Sequence, residues 1–415
     1  MKVGIEKLAV WPSTMGIDMR TLVEARGASA QLVCDQMMIR ERSVNPAWED
    51  PVTTAVNAGR LVLDGARRDR IKLLIVATES GLDQEKSLST WVQRYLELPD
   101  DCRNVELKHA CYGGTAALQL ASAWLLSQRA GVQALVITSD QSRMHFHKPY
   151  EFVMGAGAAA MLVSRQPEFL ELEPGLSGVY TQEVSDLTRP TSRVEAGHSE
   201  TSLLSYLDAV DTCFERYLDA AEANGLARPT SRDALSAWMP YHIYHAPFGG
   251  ITERAHRALM RSLGAPTGKE LRPDFEARVA PTLRHNRRMG GTYASSVFIS
   301  MLGLVDSFGA AAAGQRVGVY SYGSGSCAEF YSARFGGGAA EVARAAGLDG
   351  LLNQRKMLSV GGYEDAERER SCWIDCGDYR ISLAGYEGWY DARYRGQRLL
   401  TFRGVTDFVR QYEWS

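Results

Sequence analysis

Short apolar runs, partly β-branched and each closed by a polar or glycine-bearing loop, recur along the chain at residues 73–76, 134–138, 158–163, 243–248 and 316–322. Their length and flanks predict buried strands. Residues 115–128, rich in Ala and Leu with few polar breaks, predict a helix buried on most sides. A second helix is predicted where Leu203, Leu207, Val210, Phe214, Tyr217, Leu218 and Ala221 fall at helical spacing. Strands alternating with helices in both halves define an α/β fold. One strand per half ends in a loop carrying reactive side chains, which predicts an internal pseudo-repeat with the site at the join. The expected organisation is an N-terminal half over 1–165, a connection or lid over 166–201, where prolines and glycines break periodicity, and a C-terminal half over 202–415. From Cys372 onward, Tyr379, Tyr386, Trp389, Tyr390 and Tyr394 alternate with charged residues and glycines, predicting β-hairpins that cover the core.

Composition narrows the function classes. With 415 residues, 45% hydrophobic and 23% charged, the chain can bury a large core, and disordered, collagen-like and coiled-coil readings fail. The 46 basic and 49 acidic side chains leave a net charge of −3, too small a field to gather nucleic acid or an anionic membrane. An acidic partner would need a local basic patch. Seven scattered cysteines, an odd set, make no disulfide framework and fit a reducing cytoplasm. No uninterrupted run reads as a signal peptide, and none is expected to reach the roughly 20 apolar residues that span a bilayer.

Four segments can carry chemistry. Cys111 lies in Lys108-His109-Ala110-Cys111-Tyr112-Gly113-Gly114-Thr115, directly before the predicted buried helix. The helix N-terminus would lower the thiol pKa, and the glycines admit a thioester beside the backbone. A structural cysteine is the common alternative, but a Cys-x-Gly-Gly turn into a helix favours a nucleophile. Glu79 follows the strand ending near Val76, placed to face a cavity where desolvation raises a carboxyl toward general acid–base use; most glutamates after strands are merely solvated, and Asp83 reads as the cap of the next helix. His245 is expected on the face of Ile243, with Pro247 stopping the ladder, positioned to polarise a carbonyl or protonate an alkoxide; His242 reads as a core histidine. Gly323, Ser324, Gly325 and Ser326 follow another strand and match no nucleotide fingerprint; their amides are expected to complete an oxyanion hole, with an ordinary tight turn as the alternative. Cys372 and Cys376 lack a second pair or nearby histidine, so no metal site is expected.

Five motifs, in order and spacing, resemble the HMG-CoA synthase family: Glu-Ser-Gly-Leu-Asp-Gln at 79–84, His-Ala-Cys-Tyr-Gly-Gly-Thr at 109–115, Gly-Ala-Gly-Ala-Ala-Ala at 155–160, His-Ala-Pro-Phe at 245–248 and Gly-Ser-Gly-Ser at 323–326. The resemblance implies the thiolase fold, two similar halves in a five-layered αβαβα domain, as a homodimer. It implies that Cys111 takes an acetyl group from a thioester, that Glu79 removes a methyl proton, and that His245 assists attack of the enolate on a β-ketoacyl thioester. Water then frees a carboxylate. Tyr293 is carried over as a substrate-binding residue. No tightly bound cofactor is implied; the substrates ride on phosphopantetheine thioesters.

Within the family, Tyr-Gly-Ser-Gly-Ser-Cys-Ala-Glu-Phe-Tyr-Ser at 322–332 and Pro-Tyr-Glu-Phe-Val-Met-Gly-Ala-Gly-Ala at 149–158 look most like the homologues of polyketide β-branching cassettes, which act on acyl carrier proteins. The family's Pro-Phe-x-Lys-Met continues here as Gly249-Gly250-Ile251, and Gly-Asn-x-Tyr reads Gly290-Gly291-Thr292-Tyr293. Residues 251–288 carry nine Arg or Lys against four Asp or Glu, a local net of +5, so the rest of the chain totals −8. Arg254, Arg257 and Arg261, at i, i+3 and i+7, are expected to dock an acidic carrier protein, with an ordinary solvated helix face as the alternative. The expected product is an HMG-like 3-hydroxy-3-carboxymethyl acyl chain on a polyketide synthase carrier. A primary-metabolism synthase using acetyl-CoA and acetoacetyl-CoA, and a non-catalytic acyl-binding relative, are the alternatives. Simple ketosynthases pair Cys with His and His or Asn, so the Glu79 motif argues against them.

Overall fold

The runs of buried, mostly apolar residues do become strands. The computed structural model describes residues 1–264 and 271–415; Lys269 and Glu270 of the basic stretch lie outside them. Nine strands form one continuous array: β1 (Gly4–Trp11), β2 (Ile71–Ala77), β3 (Arg103–Leu107), β4 (Gln133–Gln141), β5 (Ala156–Ser164), β6 (Leu170–Thr181), β7 (Tyr241–Tyr244), β8 (Arg316–Gly323) and β9 (Cys327–Phe335). The spatial order is β7-β8-β9-β6-β1-β5-β4-β2-β3. Every residue of β4, β5 and β8 is buried, which is why these strands read as apolar runs without alternation.

The pairing repeats. β1 joins β5 and β5 joins β4 antiparallel, while β4–β2 and β2–β3 are parallel. In the second half β6 joins β9 and β9 joins β8 antiparallel, while β8–β7 is parallel. The halves meet edge to edge where Gly4 and Ile5 pair with Glu171 and Leu170.

Helices α1 (Pro51–Leu63), α2 (Gly113–Leu126), α3 (Ser199–Ala223), α4 (Gly249–Ser262) and α5 (Ser296–Phe308) complete the layers. α1 starts in a capping box, with Asp50 accepting from Thr53 N at 2.9 Å and Pro51 opening the first turn. Adjacent residues of β4 face opposite ways: Ile137 meets Gly59 of α1, and Thr138 meets Gly114 of α2. α2 then touches α5 at the same glycine, where an added Cβ would lie 2.8 Å from Ala294 O and 2.8 Å from Phe298. α5 packs in turn against β7 and β8. On the far face of the second half, Phe330 of β9 packs on Phe214 and Tyr217 of α3 at 5.1 and 5.0 Å between centroids. The layers run helix, sheet, helix, sheet, helix, the predicted thiolase-type arrangement.

Three expectations change. Residues 170–181, inside the stretch read as a connection, are the 12-residue strand β6; Pro174 and Gly175 sit where its register against β9 shifts, which hid the alternation. Tyr390 lies in a helix, Glu387–Arg393, rather than a hairpin, stacking with Tyr394 against Trp48; Leu400–Thr406 and Val409–Trp414 form a hairpin as expected, and Tyr379–Arg380 pairs antiparallel beside it. Residues Tyr293–Ala312 are long and apolar enough to cross a membrane by length and composition, contrary to the sequence reading. Residues 296–305 are all buried in the core, which accounts for that apolarity.

The close approach of α2 and α5 makes a stability prediction. Gly114→Ala should cost about 1–3 kcal/mol through overpacking. Gly350→Ala, in the helix Leu348–Asn353 with nothing within 4 Å of its Cβ, should be neutral or stabilising by up to about 0.5–1 kcal/mol. Urea denaturation measures both, and equal shifts would contradict the packing.

Candidate active site

Register brings the acidic residues together. Parallel pairing sets Ala77 of β2 beside Thr138 of β4, so two residues further on Glu79 stands beside Asp140. Asp140 Oδ1 accepts the Glu79 amide at 2.9 Å and the Thr78 hydroxyl at 3.0 Å, fixing the loop that carries Glu79. Cys111 enters from the turn between β3 and α2, following Ala110 at φ 41°. Its thiol donates to Glu79 Oε2 across 3.6 Å.

The second half contributes its own strand ends. Gly323, closing β8, lies against the nucleophile turn: an added Cβ would sit 2.6 Å from Tyr112 N and 2.7 Å from His109 O. Tyr293 and Ser324 line the same cleft as Cys111 and Glu79, about 840 Å³ in volume. His245, just after β7, is 2% exposed and is not among the residues that line that cleft. Its amide donates to Tyr320 O at 2.7 Å, its carbonyl accepts from Tyr206 Oη at 2.8 Å, and its Nδ1 lies 2.6 Å from Ser296 Oγ. Ser296 Oγ also accepts the Ala246 amide at 3.4 Å, and with its own proton directed to Nδ1 the ring would carry its hydrogen on Nε2.

Electrostatics revise one expectation. The helix N-terminus does not dominate at Cys111: burial and the carboxylates of Glu79 and Asp140 push the thiol well above its ordinary value. Glu79 is itself pushed up to about 8 by burial and the Asp140 charge, and Asp140 to about 6 by burial. Thiol and carboxyl therefore share protons within one buried pair. Burial also drives His245 down to about 3, so it works as a neutral hydrogen-bond donor.

The oxyanion assignment is corrected in part. The Gly325 amide donates to Asp186 at 3.0 Å and the Ser326 amide to Gln182 O at 2.6 Å, so neither is open to a substrate oxygen. Ser324 alone of that loop lines the cleft. Asp83 accepts from the Glu85 and Lys86 amides and caps a turn rather than a helix. His242 is buried, as expected of a core histidine, but neither ring nitrogen has the hydrogen-bond partner among the described residues that the reading implied. Arg254, Arg257 and Arg261 are exposed on α4 and lie outside the cleft wall, Arg257 paired with Glu253. Among the described residues, no group of three or more His, Cys, Asp or Glu is placed to hold a metal.

Sequence reasoning missed Asp140, Arg143, Arg189 and Glu195. Arg189 Nη1 donates to the Glu79 carbonyl, its Nη2 lies 3.2 Å from Glu195, and Glu195 bonds His145 at 3.0 Å. Asp140 had a signal, since it closes an apolar run that must neighbour the run before Glu79. Arg189 and Glu195 had none, because their approach depends on how the loop after β6 folds back.

A buried thiol and carboxyl at the join of two repeated α/β halves define a condensing acyltransferase. Models for the N-terminal and C-terminal parts of hydroxymethylglutaryl-coenzyme A synthase match residues 56–167 and 261–379, and the chain belongs to the HMG-CoA synthase family. It is 36% identical over 378 residues to the polyketide biosynthesis 3-hydroxy-3-methylglutaryl-ACP synthase PksG of Bacillus subtilis (strain 168), covering 88% of this chain and 87% of that one. It is 30% identical over 370 residues to the hydroxymethylglutaryl-CoA synthase of Enterococcus faecalis, covering 88% and 91%. The HMG synthase of the curacin biosynthetic pathway, solved in complex with holo donor-ACP, superposes with a TM-score of 0.92 at 34% identity over all of both chains.

Both departures from the family motifs have a packing cause. A Cβ at Gly250, where the family carries lysine, would lie 2.2 Å from Gln36 O, and one at Gly291, the asparagine position, 2.9 Å from Pro247 O. Backbone fills the space that those side chains need.

The raised Glu79 pKa makes a pH prediction. A carboxyl lifted from 4.5 to about 8 on folding contributes stability below the lower value, and that stability is lost as pH rises through the upper one. Glu79→Gln cannot ionise, so its thermal stability relative to wild type should grow between those two pH values. Differential scanning fluorimetry across the window measures it; a constant difference would contradict the shift.

Proposed function

We propose that this enzyme performs the condensation of polyketide β-branching, moving acetyl from an acetyl-acyl carrier protein onto a β-ketoacyl-acyl carrier protein. The observation that carries the reading is the 3.6 Å contact between the Cys111 thiol and Glu79. The ionised form of Glu79 takes the Cys111 proton as the thiol attacks the donor thioester, and returns it to the departing pantetheine thiol. The Glu79 carboxylate then takes a proton from the acetyl methyl, the enolate carbon adds to the acceptor's β-carbonyl, and the alkoxide so formed takes that proton back to become the product hydroxyl. His245, neutral but outside the lining of the cleft, would polarise that carbonyl oxygen through Nε2 where the acceptor reaches it. Water cleaves the Cys111 thioester, giving a 3-hydroxy-3-carboxymethyl acyl product.

Carrier-protein use is supported by the relatives: one is named as an HMG-ACP synthase, and the curacin enzyme was solved with holo, apo and acetyl donor-ACP. The glycines at 249–250, in place of the family's lysine, remove a cation suited to coenzyme A phosphates. Arg254, Arg257 and Arg261 supply a solvent-facing basic strip suited to an acidic carrier instead. In this reading residues 1–165 bring nucleophile and base, 202–415 bring His245 and the docking strip, and the enzyme works as a cytoplasmic homodimer.

Intact-protein mass spectrometry tests the proposal. Acetylated carrier protein should leave an acetyl adduct on wild type, absent in Cys111→Ala, and faster than acetyl-CoA does. Charge reversal of all three arginines to Glu should slow loading from the carrier at least tenfold while sparing acetyl-CoA. Preference for acetyl-CoA would favour a primary-metabolism synthase, and no adduct from either donor would contradict catalysis.

A further inference from the structure

The cleft holds more hydrogen-bond donors than the protein satisfies. Arg143 and Tyr293, 5% and 2% exposed, line it beside Cys111 and Glu79, and so does Arg189. Arg143 Nε donates to Ser192 O at 2.6 Å, but its Nη1 is buried without a partner among the described residues. Arg189 is held by the Glu79 carbonyl and Glu195, yet its Nε is also buried without a partner, as is the Tyr293 hydroxyl. The Arg189 guanidinium stands 5.9 Å from the Tyr293 ring centre. Each guanidinium is thus anchored on one edge and open on another.

An unmet buried donor is costly, and a set of them converging on one cleft is matched by an anion that accepts several bonds at once. Glu79 does not fill this role. Burial keeps it largely protonated near neutral pH, and its side chain accepts from Cys111. Glu195 is already shared between His145 and Arg189. Burial first, and then the neighbouring Arg189 charge, depress the Arg143 pKa to about 10.

The reaction creates one carboxylate at Cys111. Water adds to the thioester carbonyl carbon, a C–O bond forms, the C–S bond breaks, the sulfur regains a proton as thiol, and the new acid loses its proton to solvent. We propose that Arg143, Arg189 and Tyr293 form a carboxylate subsite that receives this acid group and the oxyanion preceding it. The proposal rests on the condensation and hydrolysis given above. It assigns the connecting loop after β6 a chemical role, because Arg189 and the Ser192 carbonyl that anchors Arg143 both lie on it.

The test follows the covalent states of Cys111 by quenched-flow intact mass, using acetyl-CoA and then the acetoacetyl thioester of N-acetylcysteamine. Arg143→Gln should still take up acetyl but accumulate the condensed acyl adduct, with release slowed at least tenfold. Arg143→Lys, which restores charge without the planar fork, should recover part of the release. In a second readout, free 3-hydroxy-3-methylglutarate should protect wild-type Cys111 from alkylation at concentrations at least tenfold lower than Arg143→Gln requires. Parallel losses of acetylation and release, with no accumulated adduct and unchanged protection by the diacid, would overturn the subsite. Absence of an acetyl adduct on wild type from acetyl-CoA and from acetylated carrier protein alike would overturn the proposed function, and the subsite with it.

Discussion

One contact organises the catalytic end of the molecule: the Cys111 thiol against the Glu79 carboxyl, 3.6 Å apart in the wall of the cleft. It exists because β2 and β4 run parallel in a register that ends both beside the α2 N-terminus, and because Gly114 lets α2 approach α5 closely. Gly323 then brings the second half against the nucleophile turn. The repeat architecture is the device that places strand ends from two halves around one thiol.

Burial sets the chemistry of that pair more than the helix dipole does. A carboxyl near 8 and a thiol raised above its ordinary value keep the resting site largely protonated, with little free thiolate to be oxidised or alkylated. The proton moves within the pair when a thioester arrives. His245, pushed to about 3, contributes a fixed hydrogen-bond donor rather than a titrating group, oriented by Ser296.

Much of this was legible in the sequence. Buried strands announced themselves as apolar runs, the α2 and α3 patterns gave their helices, and Glu79, Cys111 and His245 stood at strand ends or before a helix. What stayed hidden depends on three-dimensional register and loop closure. Asp140 becomes important only because it neighbours Glu79 across the sheet, Arg189 because a loop folds back over the cleft, and the Gly325 and Ser326 amides are consumed by residues 182–186. The direction of the Cys111 shift stays hidden for the same reason, since the helix N-terminus is visible in sequence while the burial of the thiol and its nearness to Glu79, Asp140 and Glu195 are not.

Burial, reinforced by the neighbouring carboxylates, holds Cys111 as a thiol. Pulsed iodoacetamide labelling across pH, read at the Cys111 peptide by mass spectrometry, measures its titration directly. The inflection should lie above the ordinary thiol value of about 8.5 and fall in Asp140→Asn. An inflection at or below that value, unmoved by the substitution, would contradict it.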